Sequence, residues 1–89
     1  MTTLLKFSAS WCVPCKQQEQ EVNKYKVRHP EIKIKEYKVD QSDGQAVAEQ
    51  YGVNSLPTLV VLDSKGNIRG GASGVQSVTQ IEKLVQNAL

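Results

Sequence analysis

The most informative part of the sequence is the stretch Phe7-Ser8-Ala9-Ser10-Trp11-Cys12-Val13-Pro14-Cys15-Lys16. It joins two segments of different character. The run from Thr3 to Ala9 is short and apolar, which is typical of a buried β-strand. From Cys12 to about Arg28 the chain is rich in Lys, Gln and Glu and has no glycine. This second segment predicts a helix that tolerates Pro14 in its first turn and is ended by Pro30.

The two cysteines therefore stand where a strand passes into a helix, and that position has chemical consequences. Unpaired N–H groups and the positive end of the helix dipole stabilise a thiolate in the first turn. We expect Cys12 to be the nucleophile. Cys15 follows one turn later, close enough to form a disulfide with Cys12, and an interior position should keep it a thiol until it reacts. Attack by Cys12 on an external disulfide would give a mixed disulfide that Cys15 resolves, with no cofactor.

Other uses of the cysteines are open at this point. A zinc site needs four ligands, whereas the chain has two cysteines and one histidine, so a second chain would have to contribute. A Cys–His hydrolase would need His29 beside Cys12, but a continuous helix separates them by about 25 Å. We expect His29 to be a solvated cap at the helix C-terminus. Two inert core cysteines are the third alternative.

The middle of the chain continues the alternation of strands and helices. Ile32 to Val39 alternates apolar and charged residues, as in a strand with an exposed side. Asp43 is a candidate N-cap for a short helix, and Gly52 stands where that helix would end. Thr58 to Leu62 is a continuous apolar run, which indicates a strand buried on both faces.

The last third predicts a hairpin and a helix. Asp63 to Asn67 has turn chemistry, and Ile68 to Gly71 would be a short return strand. Ser77 and Gln80 form a capping-box pattern. The helix that follows would dock through Val78, Ile81, Leu84, Val85 and Ala88. The order βαβαββα predicts a single α/β domain over residues 1–89, with a four-stranded mixed sheet flanked by three helices.

Composition narrows the function classes. With 89 residues there is room for one domain with a thin core. The 11 basic and 9 acidic residues give a net charge of +2 and are dispersed, so nucleic acid is not an expected partner. No apolar stretch approaches the roughly 20 residues of a membrane helix, and the N-terminus has no leader pattern. We therefore expect a cytoplasmic monomer that does not bind membranes.

The stretch from Phe7 to Lys16 resembles the active site of the thioredoxin family, whose usual form is Trp-Cys-Gly-Pro-Cys-Lys. Further matches follow in the family's order at Val39-Asp40-Gln41, Tyr51-Gly52-Val53, Leu56-Pro57-Thr58-Leu59, Gly66 and Gly74. The resemblance implies a minimal thioredoxin fold without the strand and helix that precede Thr3 in full-length thioredoxins. It also implies a thiol–disulfide oxidoreductase that reduces protein disulfides and is recycled by a thioredoxin-reductase-like enzyme.

The resemblance also implies a substrate surface. Pro57 would follow a cis peptide bond and lie against the cysteines, and the backbone of Leu56 would bind an extended substrate segment. The residues implied to contact the substrate are Trp11, Val13, Pro14, Ser55, Leu56, Pro57, Ser73 and Gly74.

Two charged residues depart from the family pattern. Lys6 stands where thioredoxins usually have a buried aspartate, and Glu36 stands where they commonly have the lysine that partners it. Strand parity places Lys6 on the same face as Ser8. We expect Lys6 and Glu36 to pair beneath the cysteines, with either the ammonium favouring thiolate or Glu36 accepting a proton. The alternative is that Lys6 extends to solvent.

Two other functions compete with the thioredoxin interpretation. A glutaredoxin-like, glutathione-dependent protein would fit the short chain, but Gly70 to Ser73 lacks the acidic residues that often hold glutathione. A non-catalytic interaction module, or a dimer bridged by a metal through two Cys-x-x-Cys loops, belongs to another class. Bound zinc or iron would favour that last alternative.

Overall fold

Seven elements follow one another along residues 2–89, the part of the chain that this computed structural model describes. They are β1 (Thr3–Ser8), α1 (Val13–Arg28), β2 (Lys33–Lys38), α2 (Ser42–Gln50), β3 (Thr58–Leu62), β4 (Ile68–Ser73) and α3 (Val78–Ala88). The predicted order of elements is confirmed. The sheet has the order β2-β1-β3-β4, with β1 parallel to β2 and antiparallel to β3. The hairpin of β3 and β4 completes a mixed four-stranded sheet.

The central strands β1 and β3 are buried on both faces, because each face of the sheet is covered by helix. Alternate residues of these strands enter two different cores. The core on the side of α1 and α3 contains Leu4, Val22, Tyr25, Leu59, Val61, Ile81 and Val85. The core on the side of α2 contains Leu5, Phe7, Ala48, Val60 and Leu62.

Helix α3 forms as its sequence predicts. Ser77 accepts a hydrogen bond from the backbone of Gln80, whose side chain accepts one from the backbone of Ser77, so the capping box is present. The apolar stripe of α3 lies against β3, β4 and α1. None of the helices within residues 2–89 combines the length and the apolar character that a bilayer crossing requires.

The start of α2 differs from the prediction. Gln41, not Asp43, is the N-cap residue, and the Asp43 carboxylate accepts a hydrogen bond from the N–H of Gly44 inside the first turn. The reason is a contact between α2 and β2. A Cβ atom at Gly44 would overlap the carbonyl oxygen of Lys38, so glycine lets the helix backbone lie directly on the end of the strand. The expected end is confirmed, since Gly52 has a φ of +69°.

The prediction for His29 is correct in position but wrong in environment, because its side chain contacts other residues and is not simply solvated. His29 is the C-cap residue of α1, but its Nε2 lies 2.7 Å from a carboxylate oxygen of Glu82 on α3. Its ring also stacks on Tyr25, with centroids 4.6 Å apart. These contacts tie the end of α1 to α3, on the side of the helix where Tyr25 is buried.

Gln18 is a buried polar residue that the helix pattern did not single out. It is fully buried on α1. Its amide donates to the carbonyl of Gln76 at 3.0 Å and accepts from the N–H of Gln76 at 2.7 Å. Both polar groups of the side chain are therefore satisfied by one backbone unit. The pair of bonds fixes the segment before α3 to the middle of α1.

Candidate active site

The cysteines lie where β1 passes into α1. Cys12 is the N-cap residue of α1 and has extended backbone angles, while Pro14 occupies the first turn. The N–H of Cys15 donates a hydrogen bond to Sγ of Cys12 at 3.2 Å. The sulfur of Cys12 thus takes the place that an oxygen of Ser, Thr or Asp usually occupies at a helix start. Such a donor favours the charged form of an acceptor, so a Cys12 thiolate is stabilised at this position.

The two cysteines form a disulfide in the structure, with their Cα atoms 5.3 Å apart. Both are buried, with 5% of each residue exposed, and Ala9, Val39 and Leu56 pack around them. Burial alone does not distinguish the two sulfurs. The cavities that the two cysteines border do distinguish them. Cys12 borders a wide groove and a small cavity, whereas Cys15 borders only the small cavity.

The wide groove, here called the active-site groove, has a volume of about 700 Å³ and lies between the α1 loop and α2. Twelve residues line it, namely Trp11, Cys12, Val13, Pro14, Val39, Gln45, Ala48, Glu49, Val53, Asn54, Ser55 and Leu56. Its size suits a few side chains of an extended peptide. A protein disulfide laid along it would reach Cys12 directly.

The residues that the family resemblance implies to contact the substrate fall into two groups, those that line the active-site groove and those that do not. Trp11 and Val13 are 70% and 74% exposed, and they form one wall of the groove together with Pro14. Ser55 and Leu56 line the groove as well. Large apolar side chains exposed to water beside Cys12 are suited to docking a partner.

The remaining residues of that implied surface surround the proline. The peptide bond between Leu56 and Pro57 is cis, and Pro57 is buried. Gly74, at a φ of +84°, donates its N–H to the carbonyl of Pro57 at 2.9 Å. Ser73 pairs with Thr58 in the sheet. Ser73 and Gly74 therefore adjoin Pro57 without lining the active-site groove.

Sequence reasoning missed the α2 wall of the groove. Gln45, Ala48 and Glu49 face the groove from α2, and Val53 and Asn54 follow in the next loop. The signal that could have found the helical members is their spacing of three and four residues, which places them on one helix face. The helix pattern gave no indication that this face borders the cysteines.

Lys6 and Glu36 face each other across the parallel strands β1 and β2. The ammonium of Lys6 lies 3.1 Å from Oε2 of Glu36, and the two side chains are 8% and 37% exposed. The hydroxyl of Ser8 donates to the same oxygen at 3.3 Å. Lys6 therefore does not extend to solvent, and the expected pair is present. Its effect on the cysteines stays a prediction.

Glu36 also borders the small cavity behind the disulfide, here called the polar cavity. This cavity has a volume of about 120 Å³ and is lined by Ser8, Ala9, Ser10, Cys12, Cys15, Lys16, Glu19, Glu36 and Lys38. It is polar and large enough to hold water. Water in it would connect the sulfur of Cys15 to the carboxylate of Glu36.

Asp40 is linked to the active-site loop from the end of β2. Its carboxylate accepts a hydrogen bond from the N–H of Ser10 at 3.4 Å. Hydrogen bonding from Ser10 is the main cause that holds the pKa of Asp40 below its ordinary value. A negative charge thus stands beside the residue that precedes Trp11.

Neither a metal site formed by this chain alone nor a Cys–His dyad is present among residues 2–89. Across residues 2–89 no three His, Cys, Asp or Glu side chains are grouped as metal ligands would be. His29 caps the opposite end of the 16-residue helix α1 from Cys12, so the two cannot form a dyad.

Comparison with known proteins gives a consistent result. The family model described as Thioredoxin matches residues 1–87. The chain is 34% identical over 83 residues to the chloroplastic M-type thioredoxin of Brassica napus, covering 90% of this chain and 46% of that protein. It is 33% identical over 84 residues to a thioredoxin of Haemophilus influenzae, covering 92% and 75%. The chain spans about half the length of the first curated relatives it matches.

Solved structures agree with the sequence matches. The thioredoxin of Fasciola hepatica superposes with a TM-score of 0.86 at 25% identity, covering 99% of this chain and 81% of that one. A mutant thioredoxin from Halobacterium salinarum superposes with a TM-score of 0.83 at 29% identity, covering 98% and 74%. The minimal four-stranded fold predicted from the sequence is confirmed by these neighbours and by the sheet order.

Proposed function

Because this chain belongs to the thioredoxin family, we propose that it is a thiol–disulfide oxidoreductase that reduces disulfides in protein substrates. The observation that carries the proposal is the disulfide between Cys12 and Cys15 at the start of α1, with Cys12 open to the active-site groove. The family match over residues 1–87 supports it.

The first step uses Cys12 in the reduced protein. Its thiolate is stabilised by the N–H of Cys15 and by the N-terminus of α1. The thiolate attacks one sulfur of the substrate disulfide, whose S–S bond breaks as the new bond to Cys12 forms. The departing substrate thiolate takes a proton from water. The product is a mixed disulfide between Cys12 and the substrate.

The second step uses Cys15 and the polar cavity. Cys15 loses its proton through water to the carboxylate of Glu36 and attacks the sulfur of Cys12. The disulfide between Cys12 and Cys15 forms, and the second substrate thiolate leaves. Two electrons have then passed from the cysteine pair to the substrate, which balances the reaction without a cofactor.

Lys6 is a positioning residue in this step. Its buried ammonium and the hydroxyl of Ser8 both contact Oε2 of Glu36. They hold the carboxylate at the edge of the polar cavity, where it can receive a proton through water.

The substrate would bind as an extended segment over the cysteines. Trp11, Val13 and Pro14 offer apolar surface on one side of Cys12. Leu56 offers apolar surface on the other side, and the buried Pro57 follows it through the cis peptide bond. Ser55, Ser73 and Gly74 complete the surface around the proline. The backbone of Leu56 takes part in none of the loop hydrogen bonds found within residues 2–89, so its N–H and C=O are available to a substrate strand.

Recycling of the oxidised protein is proposed to depend on a thioredoxin-reductase-like enzyme. The relatives named above are thioredoxins, and their named class, rather than any contact in this chain, supports this partner. A reductase would deliver two electrons to the disulfide by the reverse of the steps described.

Trapping the intermediate tests the proposed reaction. Reduced Cys15→Ser protein, mixed with a peptide that contains one disulfide, should accumulate a mixed disulfide at Cys12, seen by mass as protein plus peptide. The matched Cys12→Ser variant should trap much less under the same conditions. Trapping only in the Cys12→Ser variant would reverse the two roles. No reaction of the unmodified reduced protein would refute the proposed function.

A further inference from the structure

The active-site groove carries one ionic group on an otherwise neutral lining. Among the described residues that line it, Glu49 is the only charged one. The Glu49 side chain is exposed, and none of the ion pairs found within residues 2–89 involves it. Its charge is therefore free to meet a charge on a bound partner.

The position of Glu49 in α2 adds to the negative potential of this wall. Glu49 lies in the last turn of the helix, where the macrodipole has its negative end. A basic residue would be favoured there, yet the last turn of α2 contains none. A carboxylate at this end destabilises its own helix, so its placement on the groove has a cost in stability.

The two sides of Cys12 differ in how charge is arranged. The polar cavity is lined by two lysines and two glutamates, Lys16, Lys38, Glu19 and Glu36, so charges of both signs are present there. Within residues 2–89, the groove has no lysine or arginine in its lining. A substrate segment that enters the groove therefore meets the carboxylate of Glu49 without a competing cation in the lining.

We propose that the groove selects protein disulfides flanked by Lys or Arg, with Glu49 as the residue that recognises the cation. The occupant is an extended substrate segment that places an apolar side chain against Trp11 and a basic one beside Glu49. This inference rests on the proposed function and names its substrate class. The proposal also gives a reason for a carboxylate at the C-terminal end of α2. A cation on the substrate would supply the positive charge that the last turn of this helix lacks.

Three synthetic peptides provide the test. Each contains one intramolecular disulfide, and they differ only in having Lys, Gln or Glu beside both cysteines. Reduced protein is mixed with an excess of peptide in a single turnover, followed by the fluorescence of Trp11, the only tryptophan. A flanking charge also alters the reactivity of the disulfide itself. The measured quantity is therefore the Lys/Glu ratio of second-order rate constants in each protein variant.

At low ionic strength the Lys/Glu ratio of rate constants should be about three-fold or more higher in the wild type than in Glu49→Gln. The reason is that the carboxylate of Glu49 attracts the Lys peptide and repels the Glu peptide. Glu49→Lys should lower the ratio further. High salt should bring the variants together, because these charges are exposed. Glu31→Gln removes the same charge outside the groove and should keep the wild-type ratio.

Stability gives a second readout. Glu49→Gln and Glu49→Lys should unfold at a higher or equal denaturant midpoint than the wild type, because they remove a carboxylate from a helix C-terminus. A stabilised variant with lower selectivity would support the proposal.

The outcomes separate this inference from the proposed function. Turnover of all three peptides with equal Lys/Glu ratios in wild type, Glu49→Gln and Glu31→Gln would overturn the selectivity and leave the oxidoreductase intact. An unreactive Gln peptide in every variant would instead contradict the proposed function. A ratio that falls equally in Glu31→Gln would assign the effect to net charge and overturn the role of Glu49.

Discussion

Lys6 and Glu36, neighbours across two parallel strands, form an ion pair of 3.1 Å in which the lysine is the more buried partner. Oε2 of Glu36, the oxygen that contacts Lys6, also accepts a hydrogen bond from the hydroxyl of Ser8. Glu36 alone of the two borders the polar cavity that also contains Cys15. In the proposed reaction the two charges have different tasks: Lys6 holds the carboxylate in place, and Glu36 accepts the proton of Cys15.

The first prediction concerns the proton acceptor. Replacement of Glu36 by Gln should slow release of the second substrate thiol by about ten-fold or more near neutral pH, because the general base is lost. Formation of the mixed disulfide should change much less. Rapid-quench alkylation, read by mass across the neutral to mildly alkaline range, separates the two steps. If Glu19→Gln slows the second step and Glu36→Gln does not, the other carboxylate of the cavity is the acceptor.

The second prediction concerns the buried amide of Gln18. Gln18→Met keeps a similar side-chain volume but leaves the N–H and the C=O of Gln76 without their partners. The free energy of unfolding should fall by roughly 2 kcal/mol, the usual cost of unsatisfied buried polar groups. Urea unfolding measures it, with the exposed neighbour Gln17→Met as the matched control. Equal stability of the two variants would show that the bonds to Gln76 contribute nothing.

The third prediction concerns the contact between α2 and β2. Alanine usually stabilises a helix relative to glycine, yet Gly44→Ala should lower the free energy of unfolding by about 1–3 kcal/mol. Its Cβ would overlap the carbonyl of Lys38 and force the helix away from the strand. The exposed position Gln50→Ala in the same helix should shift stability by less than about 0.5 kcal/mol. A more stable Gly44→Ala protein would contradict the contact.

The fourth prediction concerns acid stability of the hairpin turn. Hydrogen bonds from the N–H of Asn67, the side chain of Arg69 and the N–H of Lys65 lower the pKa of Asp63 to about 2. A carboxylate whose pKa is lowered by folding stabilises the fold at pH values above its ordinary pKa of about 4. This contribution is lost as the pH falls toward the folded-state pKa of about 2. The stability difference between wild type and Asp63→Asn should therefore be constant above about pH 4 and shrink below it. Urea unfolding across this pH range measures the stability difference, and a difference that did not change with pH would contradict the prediction.

Elements set by short-range patterns were predictable from the sequence. The apolar run of β3, the capping box of Ser77 and Gln80, and the glycine at the end of α2 each report local physics. The pairing of Lys6 with Glu36 was also predictable, since strand parity and the family register place them face to face. The cysteine pair at a strand-to-helix junction also predicted a thiol–disulfide oxidoreductase, which the family match supports.

Features set by contacts between distant segments were not predictable. The early start of α2 depends on Gly44 meeting Lys38, and local propensity favoured Asp43 as the cap. His29 looked solvated because Glu82 lies 53 residues away in sequence. The α2 wall of the groove, with Glu49, became visible only once the fold placed that helix beside Cys12. Each of these depends on how segments pack, which residue spacing does not encode.

The equilibrium reduction potential of the Cys12–Cys15 pair is the decisive measurement for a thioredoxin-type function. The protein is equilibrated with thiol buffers of known potential, alkylated and read by mass. We expect a reversible two-electron couple near the roughly −270 mV typical of thioredoxins. A couple at about −200 to −230 mV would contradict the thioredoxin-type role and favour a glutaredoxin-like one. The absence of any reversible couple would contradict the oxidoreductase itself.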